Sequence, residues 1–320
     1  MIGKNSIIER YENNPILTKD DIPYPVETVH NAAATLFNDR IILLFRSHLR
    51  NGRSIIGIAQ SDDGLKFKVS NKPFLVPAEK NKSSYIDDFA LYEEYGVEDP
   101  RITRIDEYYY ITYSAYSRFG VRIGLARTKD FREVERVAFI SQSDMRNVVI
   151  FPEKIDGKYY RLDRPHTEIM PWSIWLSSST DLVHWGNSRI VIMPLKYHWD
   201  EMKVGPGTPP IKTNEGWLHI FHGVFKTMDG AVYRLGVALH NLKDPSVVVG
   251  VSDEWILQPE ELYERVGYVH NVVFSCGMVK TGVDDLIIYW GGADSVLCAG
   301  KTKISHLVSL CKSKNRPGIV

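Results

Sequence analysis

The stretch YGVEDPRITRIDEYYYITYSAYSRFGVRIGLARTKDF, residues 95–131, contains the repeating unit that decides the fold. An extended segment, EDPRITRI, leads through a turn into a tyrosine- and isoleucine-rich strand, and a loop then leads into RIGLART. Side chains of this kind at a period of two favour strands over helices. The stretch therefore predicts the order strand, turn, strand, loop, strand.

The same unit recurs along the chain. Its central hairpins are NDRIILLFRS (38–47), IDEYYYITYS (105–114), IDGKYYRLDR (155–164), NEGWLHIFHG (214–223) and VDDLIIYWGG (283–292). The outer segments that follow them are IIGIAQSDDGLKF, RIGLARTKDFREV, SIWLSSSTDLVHW, RLGVALHNLKDPS and VLCAGKTKISHLV. Five such units predict an all-β, five-bladed β-propeller formed by residues 1–320 as one domain, because radial packing leaves only short sheet edges. A β-sandwich is the alternative, and the best helix candidate is the short QPEELYERVG (258–267).

Composition excludes several classes of partner. Lys plus Arg and Asp plus Glu both total 39, so the formal net charge is zero and no footprint for nucleic acid or an anionic membrane is expected. No apolar run approaches the roughly 20 residues that span a bilayer, and the first residues lack a signal-peptide pattern. The three cysteines lack metal-ligand spacing. We expect a cytoplasmic protein with reduced thiols and no metal, as a monomer or a homo-oligomer.

Polar residues collect where the first strand of each unit begins. In a propeller these ends converge around one funnel, which makes a ligand site the expectation. The residues concerned are His30, Asn31, Glu98, Asp99, Arg146, Asn147, Lys203, His270 and Asn271. Any one of them alone could equally cap a strand and satisfy backbone groups.

Several longer motifs resemble those of a known family. GVEDPRI, NVVIFPEKIDGKYYRLDRP, SSTDLVHWG, KVGPGTPPIKTNEGWLHIFHGV and LYERVGYVHNVVFSCG resemble the signature segments of glycoside hydrolase family 130, the inverting β-mannoside phosphorylases and their hydrolytic relatives. The resemblance runs from about residue 11 to about residue 300. It implies a five-bladed propeller, in agreement with the repeat count.

The resemblance implies which residue is the acid. Cleavage with inversion needs an acid for the leaving oxygen and a nucleophile on the opposite face of the sugar. Inorganic phosphate, the co-substrate of a phosphorylase, is already anionic, so one acid is enough and no cofactor is required. The family pattern places that acid at Asp99, with its proton passing through the mannose 3-hydroxyl. Because neighbours on an extended strand point to opposite sides, Glu98 is expected to face away from Asp99.

Phosphate requires cationic and hydrogen-bonding groups, and the chain retains the set implied by the resemblance. That set is Arg146, Asn147, Arg164, Lys203, His222 and Tyr233. Hydrolytic members lack part of the cationic cluster, so the pattern favours a phosphorylase over a mannosidase. A non-catalytic sugar-binding propeller would have no use for such a cluster.

Sugar recognition is assigned to a second group. The resemblance places Asn31, Arg46 and Asp294 around the mannosyl ring, and Glu98 is a further substrate-binding candidate. His166 and Tyr95 are the candidates for the acceptor side. Asp63 and Asp181, in turns of the outer strands, are interpreted as structural, and Trp185, Trp217 and Trp290 as core. The expected substrate is a β-manno-oligosaccharide with a β-1,2 linkage, and a β-1,4 linkage is the alternative. Rim loops such as 75–95 and 225–232 are expected to set this choice.

Overall fold

The chain folds mainly into short antiparallel strands grouped in five units of four. The computed structural model describes residues 7–79, 88–313 and 316. Within these ranges the first two units are joined by one parallel pair, Ser54 with Gly96, and so form a continuous sheet. The prediction of an all-β fold is confirmed.

The first three units lie in the first 192 residues. After β1 (Glu9–Arg10) and a 3₁₀ turn at Lys19–Asp21, the first unit contains β2 (His30–Phe37), β3 (Arg40–His48), β4 (Ser54–Ser61) and β5 (Lys68–Val69). The second follows helix α1 (Asp88–Tyr92) and contains β6 (Gly96–Ile105), β7 (Tyr108–Ser117), β8 (Gly120–Thr128) and β9 (Glu135–Phe139). The third contains β10 (Met145–Ile150), β11 (Tyr159–Pro165), β12 (Ile174–Ser179) and β13 (Trp185–Ile192).

The last two units differ slightly from this pattern. In the fourth, an interrupted first strand, β14 (Lys203–Pro206) and β15 (Ile211–Lys212), pairs with β16 (Trp217–Thr227), followed by β17 (Gly230–His240) and β18 (Val248–Val251). The fifth follows α2 (Leu262–Arg265) and contains β19 (Val273–Lys280), β20 (Asp285–Gly292) and β21 (Val296–Lys303), before the final helix α3 (Ile304–Ser313). Strand β1 pairs with β21 and completes this unit.

The last outer segment contains a helix as well as its strand. In VLCAGKTKISHLV the predicted short strand is present but ends at Lys303, and α3, which was not predicted, begins at Ile304. Its buried residues, Ile304, Leu307, Val308 and Cys311, have the three- and four-residue spacing of a helix with one apolar face. The expectation of a short helix near QPEELYERVG is confirmed by the single turn of α2.

The first strands of the units contact one another in order. β2 packs against β6, β6 against β10, and β10 against β14. β19 packs against β16 and β17 of the fourth unit and also against β2 of the first. The contacts therefore run through all five units and return to the start.

Each of four first strands has an Asn or Asp with left-handed backbone near its beginning. The φ angles are 50° for Asn31, 48° for Asp99, 59° for Asn147 and 57° for Asn271. The register shifts at the first three of these sites, and short polar side chains tolerate this conformation better than most. The strand is bulged rather than regularly alternating there. Glu98 and Asp99 therefore both contact one guanidinium group, while only Asp99 lines the central cavity.

The residues interpreted as structural have structural contacts. Oδ1 of Asp63 accepts hydrogen bonds from the backbone of the next turn, at 2.8 Å from both Leu65 and Lys66, and Asp181 does the same for its own turn. Trp217 and Trp290 are fully buried, whereas Trp185 is half-buried against Arg161. Cys276, Cys298 and Cys311 are buried and unpaired. None of the helices in the described ranges is long and apolar enough to cross a bilayer.

An ion pair ties β1 to helix α2. Arg10 donates from Nε and Nη2 to the two carboxylate oxygens of Glu264, each at 3.0 Å. Glu264 is fully buried and also accepts from Trp290 Nε1 at 3.1 Å. Because removing one partner leaves a buried charge without compensation, this pair is more important to stability than an exposed one.

We expect Arg10→Met to lower the free energy of unfolding by about 3 kcal/mol, because the Glu264 carboxylate would remain buried without its cation. Urea denaturation measures the change. Arg50→Met is the matched control, since Arg50 is 86% exposed in its pair with Glu27, and it should cost less than about 0.5 kcal/mol. Equal effects of the two substitutions would contradict the assignment.

Candidate active site

One cavity of about 290 Å³ collects side chains from all five units. Eleven of the predicted site residues line it: Asn31, Arg46, Asp99, Arg146, Asn147, Arg164, His166, Lys203, His222, Tyr233 and Asp294. His30, His270 and Asn271, which the strand repeat also placed at the site, do not line it. Glu98 lies behind Arg46, to which it is bonded. Tyr95 is outside the lining, exposed, with its ring against that of Tyr116.

The cavity has two chemically different sides. The carboxylate side, from the fifth, first and second units, consists of Asn31, Arg46, Asp99 and Asp294. The cationic side, from the third and fourth units, consists of Arg146, Asn147, Arg164, Lys203, His222 and Tyr233. Because the units contact one another in order, each side is continuous along the ring of first strands.

Arg46 organises the carboxylate side. Its Nη2 donates to Glu98 Oε1 at 2.7 Å and its Nη1 to Asp99 Oδ1 at 3.2 Å. Asn31 Nδ2 donates to the same oxygen of Asp99 at 2.9 Å, and Ser54 Oγ donates to Glu98 at 3.0 Å. The guanidinium group is thus held between two carboxylates, in the geometry that suits arginine better than lysine.

The two aspartates of this side have opposite protonation tendencies. For Asp99, burial favours the neutral acid, but the charges of Arg46 and Arg101 and the Asn31 hydrogen bond outweigh it and hold the pKa well below its usual range. For Asp294, burial dominates, and with Asp99 and Glu98 nearby the pKa rises to about 6 despite the charge of Arg46. The Asp99 carboxylate is therefore ionised at neutral pH, whereas the pKa of Asp294 lies close to neutral pH.

Arg164 and His222 form a buried pair on the cationic side. Arg164 Nη1 donates to His222 Nε2 at 2.9 Å, so the imidazole is neutral, with its proton on Nδ1. Burial, and then the charges of Arg164, Lys203 and Arg101, lower the pKa of His222 well below its usual value. Burial also lowers the pKa of Arg164 to about 10, with Arg146 and Arg101 contributing.

Lys203 is the third cation of this side. Its Nζ donates to Tyr233 Oη at 2.9 Å, and burial together with the charges of Arg164 and Arg146 lowers its pKa to about 7. The ring of Trp172 lies 5.2 Å from Lys203 Nζ and 5.6 Å from the Arg164 guanidinium carbon. His166 packs edge-on against Trp172 with 4.0 Å between ring centres.

Arg101, which the sequence reading did not select, connects three units beneath the cavity. It donates to the Asp99 carbonyl oxygen at 2.8 Å, to the Gly207 carbonyl oxygen at 3.2 Å and to Asn147 Oδ1 at 3.3 Å. A charged residue two positions after Asp99, in a strand otherwise suited to burial, was the available signal. The lining residues Trp172, Met202, Val269, Val272 and Phe274 were also missed, because single apolar residues carry no such signal.

Three buried polar atoms of lining residues need a further partner. Within the described part of the chain, Asn31 Oδ1, Arg164 Nε and His222 Nδ1 have no hydrogen-bond partner. Buried polar atoms of this kind are rare unless a ligand or water satisfies them. With three cations on one side, the cavity is suited to a tetrahedral anion beside a polyhydroxylated ligand. Among the residues described, no three potential metal ligands lie together.

Comparison with known proteins agrees with this chemistry. The model of glycoside hydrolase family 130, described as beta-1,4-mannooligosaccharide phosphorylase, matches residues 4–313. A beta-1,2-mannobiose phosphorylase of Listeria innocua is 40% identical over 256 residues, which cover 80% of this chain and 68% of that protein. A 1,2-beta-oligomannan phosphorylase of Thermoanaerobacter sp. is 36% identical over 301 residues, covering 91% and 95% respectively.

Solved structures give the same result. The structure of beta-1,2-mannobiose phosphorylase from Listeria innocua, in complex with beta-1,2-mannobiose, superposes with a TM-score of 0.86. The two chains are 32% identical in that comparison, which covers 96% of this chain and 99% of the other. The protein is therefore a carbohydrate-active enzyme. It belongs to glycoside hydrolase family 130, as its motifs predicted.

Gly205 offers a steric test of the Arg164–His222 pair. A Cβ at this position would lie 2.7 Å from His222 Nε2 and 2.9 Å from Arg164 Nη1, so we expect Gly205→Ala to displace both groups. Phosphate affinity, measured by titration calorimetry, should fall by about 10- to 100-fold, since small displacements of charged groups are costly. Gly186→Ala, where a Cβ meets nothing within 4 Å, should leave the affinity unchanged. Unchanged phosphate affinity in Gly205→Ala would show that the pair does not bind the anion.

Proposed function

We propose that the protein catalyses the phosphorolysis of β-1,2-linked mannosides with inversion. A β-manno-oligosaccharide and inorganic phosphate would yield α-mannose 1-phosphate and an acceptor shortened by one mannose. The observation that carries the proposal is the cationic side, where Arg146, Arg164 and Lys203 face one small cavity. Arg146 Nη1 lies 4.0 Å from Glu98 Oε2, whereas no ion pair is found for Arg164 or Lys203 within the described ranges. Cations in a partly desolvated space repel one another unless an anion lies between them. The activities of the relatives, a beta-1,2-mannobiose phosphorylase and a 1,2-beta-oligomannan phosphorylase, support the β-1,2 linkage.

The reaction balances with the groups in the cavity. A phosphate oxygen would attack C1 of the mannosyl unit from the cationic side, while the bond from C1 to the leaving oxygen breaks. The leaving oxygen takes a proton from Asp99, through the mannose 3-hydroxyl as the family resemblance implies. Attack from the face opposite the leaving group converts the β linkage into an α phosphate.

The acid role of Asp99 depends on the bound anion. Arg46 and Arg101 hold its pKa below the usual range, and a carboxylate cannot donate a proton. A phosphate held by Arg164 and Lys203 would offset this positive charge and raise the pKa of Asp99. Proton donation would thereby be coupled to the presence of the nucleophile.

The remaining roles follow from position. Asn147, His222 and Tyr233 would support phosphate binding, because they lie on the cationic side. Asn31, Arg46, Glu98, His166 and Asp294 would bind or orient the sugar. Arg46 is the centre of this group, since it contacts Glu98 and Asp99 directly.

Two alternative activities are less well supported. An inverting mannosidase needs a second carboxylate as base, on the face opposite the acid. In the described cavity the carboxylates lie on one side and the other side bears cations. A β-1,4-mannosyl phosphorylase is the second alternative, since a Ruminococcus albus enzyme with that activity is 29% identical. The rim loop 75–95, expected to decide the linkage, includes residues 80–87, which lie outside the described ranges.

We also propose that the five units are the blades of one closed five-bladed β-propeller, so that residues 1–320 form a single domain. The ring of contacts between first strands supports this arrangement, as does the completion of the last unit by β1. The proposal further includes a cytoplasmic location, to which three unpaired thiols are suited. The partners would be the oligosaccharide and phosphate, without cofactor, nucleic acid or membrane, in a monomer or a homo-oligomer.

The proposed activity is tested by incubating the protein with β-1,2-mannobiose, with and without phosphate. We expect α-mannose 1-phosphate and mannose in equal amounts only when phosphate is present. A parallel incubation with β-1,4-mannobiose should give at least tenfold slower release. Equal mannose release in both tubes, without sugar phosphate, would overturn the proposal in favour of a mannosidase.

For the acid, we expect Asp99→Asn to reduce phosphorolysis by about 10²- to 10⁴-fold, because an amide cannot supply the proton. Glu98→Gln is the neighbouring control and should have a smaller effect, since Glu98 does not line the cavity. Thermal unfolding of both variants checks that they fold. Near-normal turnover of Asp99→Asn would exclude this residue as the acid.

For the anion site, we expect kcat/KM for phosphate to fall as pH rises through about 7. Burial and the neighbouring arginines lower the pKa of Lys203 to about this value, so its charge is present below pH 7 and lost above it. Lys203→Arg stays charged throughout. The ratio of kcat/KM in the variant to kcat/KM in the wild type should therefore increase as the pH is raised beyond 7. Because the ionisation of phosphate affects both enzymes equally, it cancels in this ratio. A ratio independent of pH would contradict the assignment.

A further inference from the structure

Tyr268 is an exposed aromatic residue in the loop that leads from the fourth unit into the fifth. It is 65% exposed, although large aromatic side chains are usually buried to a high degree. The next residue, Val269, lines the cavity. Tyr268 itself is not a lining residue, but it directly adjoins the lining in the chain.

The position of this ring is fixed by its neighbours. The Tyr268 backbone N–H donates to Ser295 Oγ at 2.8 Å, and that of Val269 donates to the Ala293 carbonyl oxygen at 3.1 Å. The Tyr268 ring also packs on His48, with 5.3 Å between ring centres and 39° between planes. An ordered ring loses little conformational entropy when it binds a ligand.

The neighbours of Tyr268 belong to the carboxylate side. Ser295 is adjacent in sequence to Asp294, and His48 Nε2 accepts a hydrogen bond from Arg46 Nη2 at 2.9 Å. Arg46 in turn binds Asp99. One chain of contacts thus connects the exposed ring with the proposed acid.

The stereochemistry of the proposed reaction determines which ligand group reaches the carboxylate side. In an inverting displacement the leaving group departs on the side opposite the nucleophile. With phosphate on the cationic side, the acceptor sugar departs toward the carboxylate side, where Tyr268 lies. The apolar face of a pyranose ring can pack on an aromatic ring, as ligands commonly do in aromatic-lined sites.

We propose that Tyr268 is the platform on which the acceptor sugar stacks, and that it determines acceptor affinity. The inference rests on the proposed phosphorolysis and deepens it, by naming the residue that holds the leaving mannose. In this arrangement Tyr268 would touch neither phosphate nor the mannosyl unit being transferred. Its contribution should therefore appear in the binding of the acceptor sugar only.

The test uses the reverse reaction, with α-mannose 1-phosphate as donor and mannose as acceptor. We expect Tyr268→Ala to raise the KM for mannose by roughly 3- to 10-fold, the range expected for a lost ring contact. The KM for the donor should stay within about twofold. Tyr268→Phe and Tyr268→Trp should retain the wild-type acceptor KM, because stacking needs the ring and not the hydroxyl group.

Controls separate stacking from a structural effect. Tyr197→Ala removes another exposed aromatic residue, 85% exposed, neither of whose neighbours in the chain lines the cavity, and should change neither KM. If Tyr268 acted only by supporting His48 and Arg46, Tyr268→Ala would lower kcat and raise both KM values together. That outcome, or an unchanged acceptor KM, overturns the inference while the proposed function stands. Absence of any synthesis by the wild-type enzyme would remove the proposed function and the inference together.

Discussion

The left-handed backbone at Asn31, Asp99, Asn147 and Asn271 is the constraint on which the site depends. A regular strand would direct neighbouring side chains to opposite faces of its sheet. The bulges break that alternation where the first strands begin, so that Glu98 and Asp99 can contact one guanidinium group. Most residue types would be strained at these φ angles, whereas Asn and Asp tolerate them. Backbone geometry and site chemistry therefore require the same residues.

The bulged ends of the first strands bring charged groups close together. The balance between these charges organises the site. On the carboxylate side Arg46 lies between Glu98 and Asp99, so the charges compensate within the protein. On the cationic side Arg164 is paired only with a neutral histidine, and burial lowers the pKa of Lys203 to about 7. This imbalance is costly for a buried site without an anion. It is the physical feature that distinguishes a phosphate-using enzyme from a simple sugar-binding protein.

Much of the site was predictable because its residues are polar and occur at equivalent points of a repeat. Asn31, Asp99 and Asn147 follow from their place at the start of first strands, whereas Arg164 and His222 were implied by the family resemblance. The prediction failed where the signal was weak. Arg101 supports the site through hydrogen bonds to backbone carbonyl groups. In the sequence, Trp172 cannot be told apart from a tryptophan of the hydrophobic core. Tyr95 was a candidate for the acceptor side, but it lies outside the cavity lining.

The sequence by itself determined the strand repeats, the all-β class and the family, because periodicity and motif order are properties of the chain. It did not determine where α3 replaces the last strand, since β21 and the helix both bury apolar residues and only their packing separates them. Tertiary structure alone decided the orientation of Glu98 and Asp99, through a bulge. It also decided the pKa values of Asp294 and Lys203, because desolvation depends on neighbours that are distant in the chain. Local sequence patterns determine secondary structure and motifs. The balance of charges in the site arises only when the five units pack together.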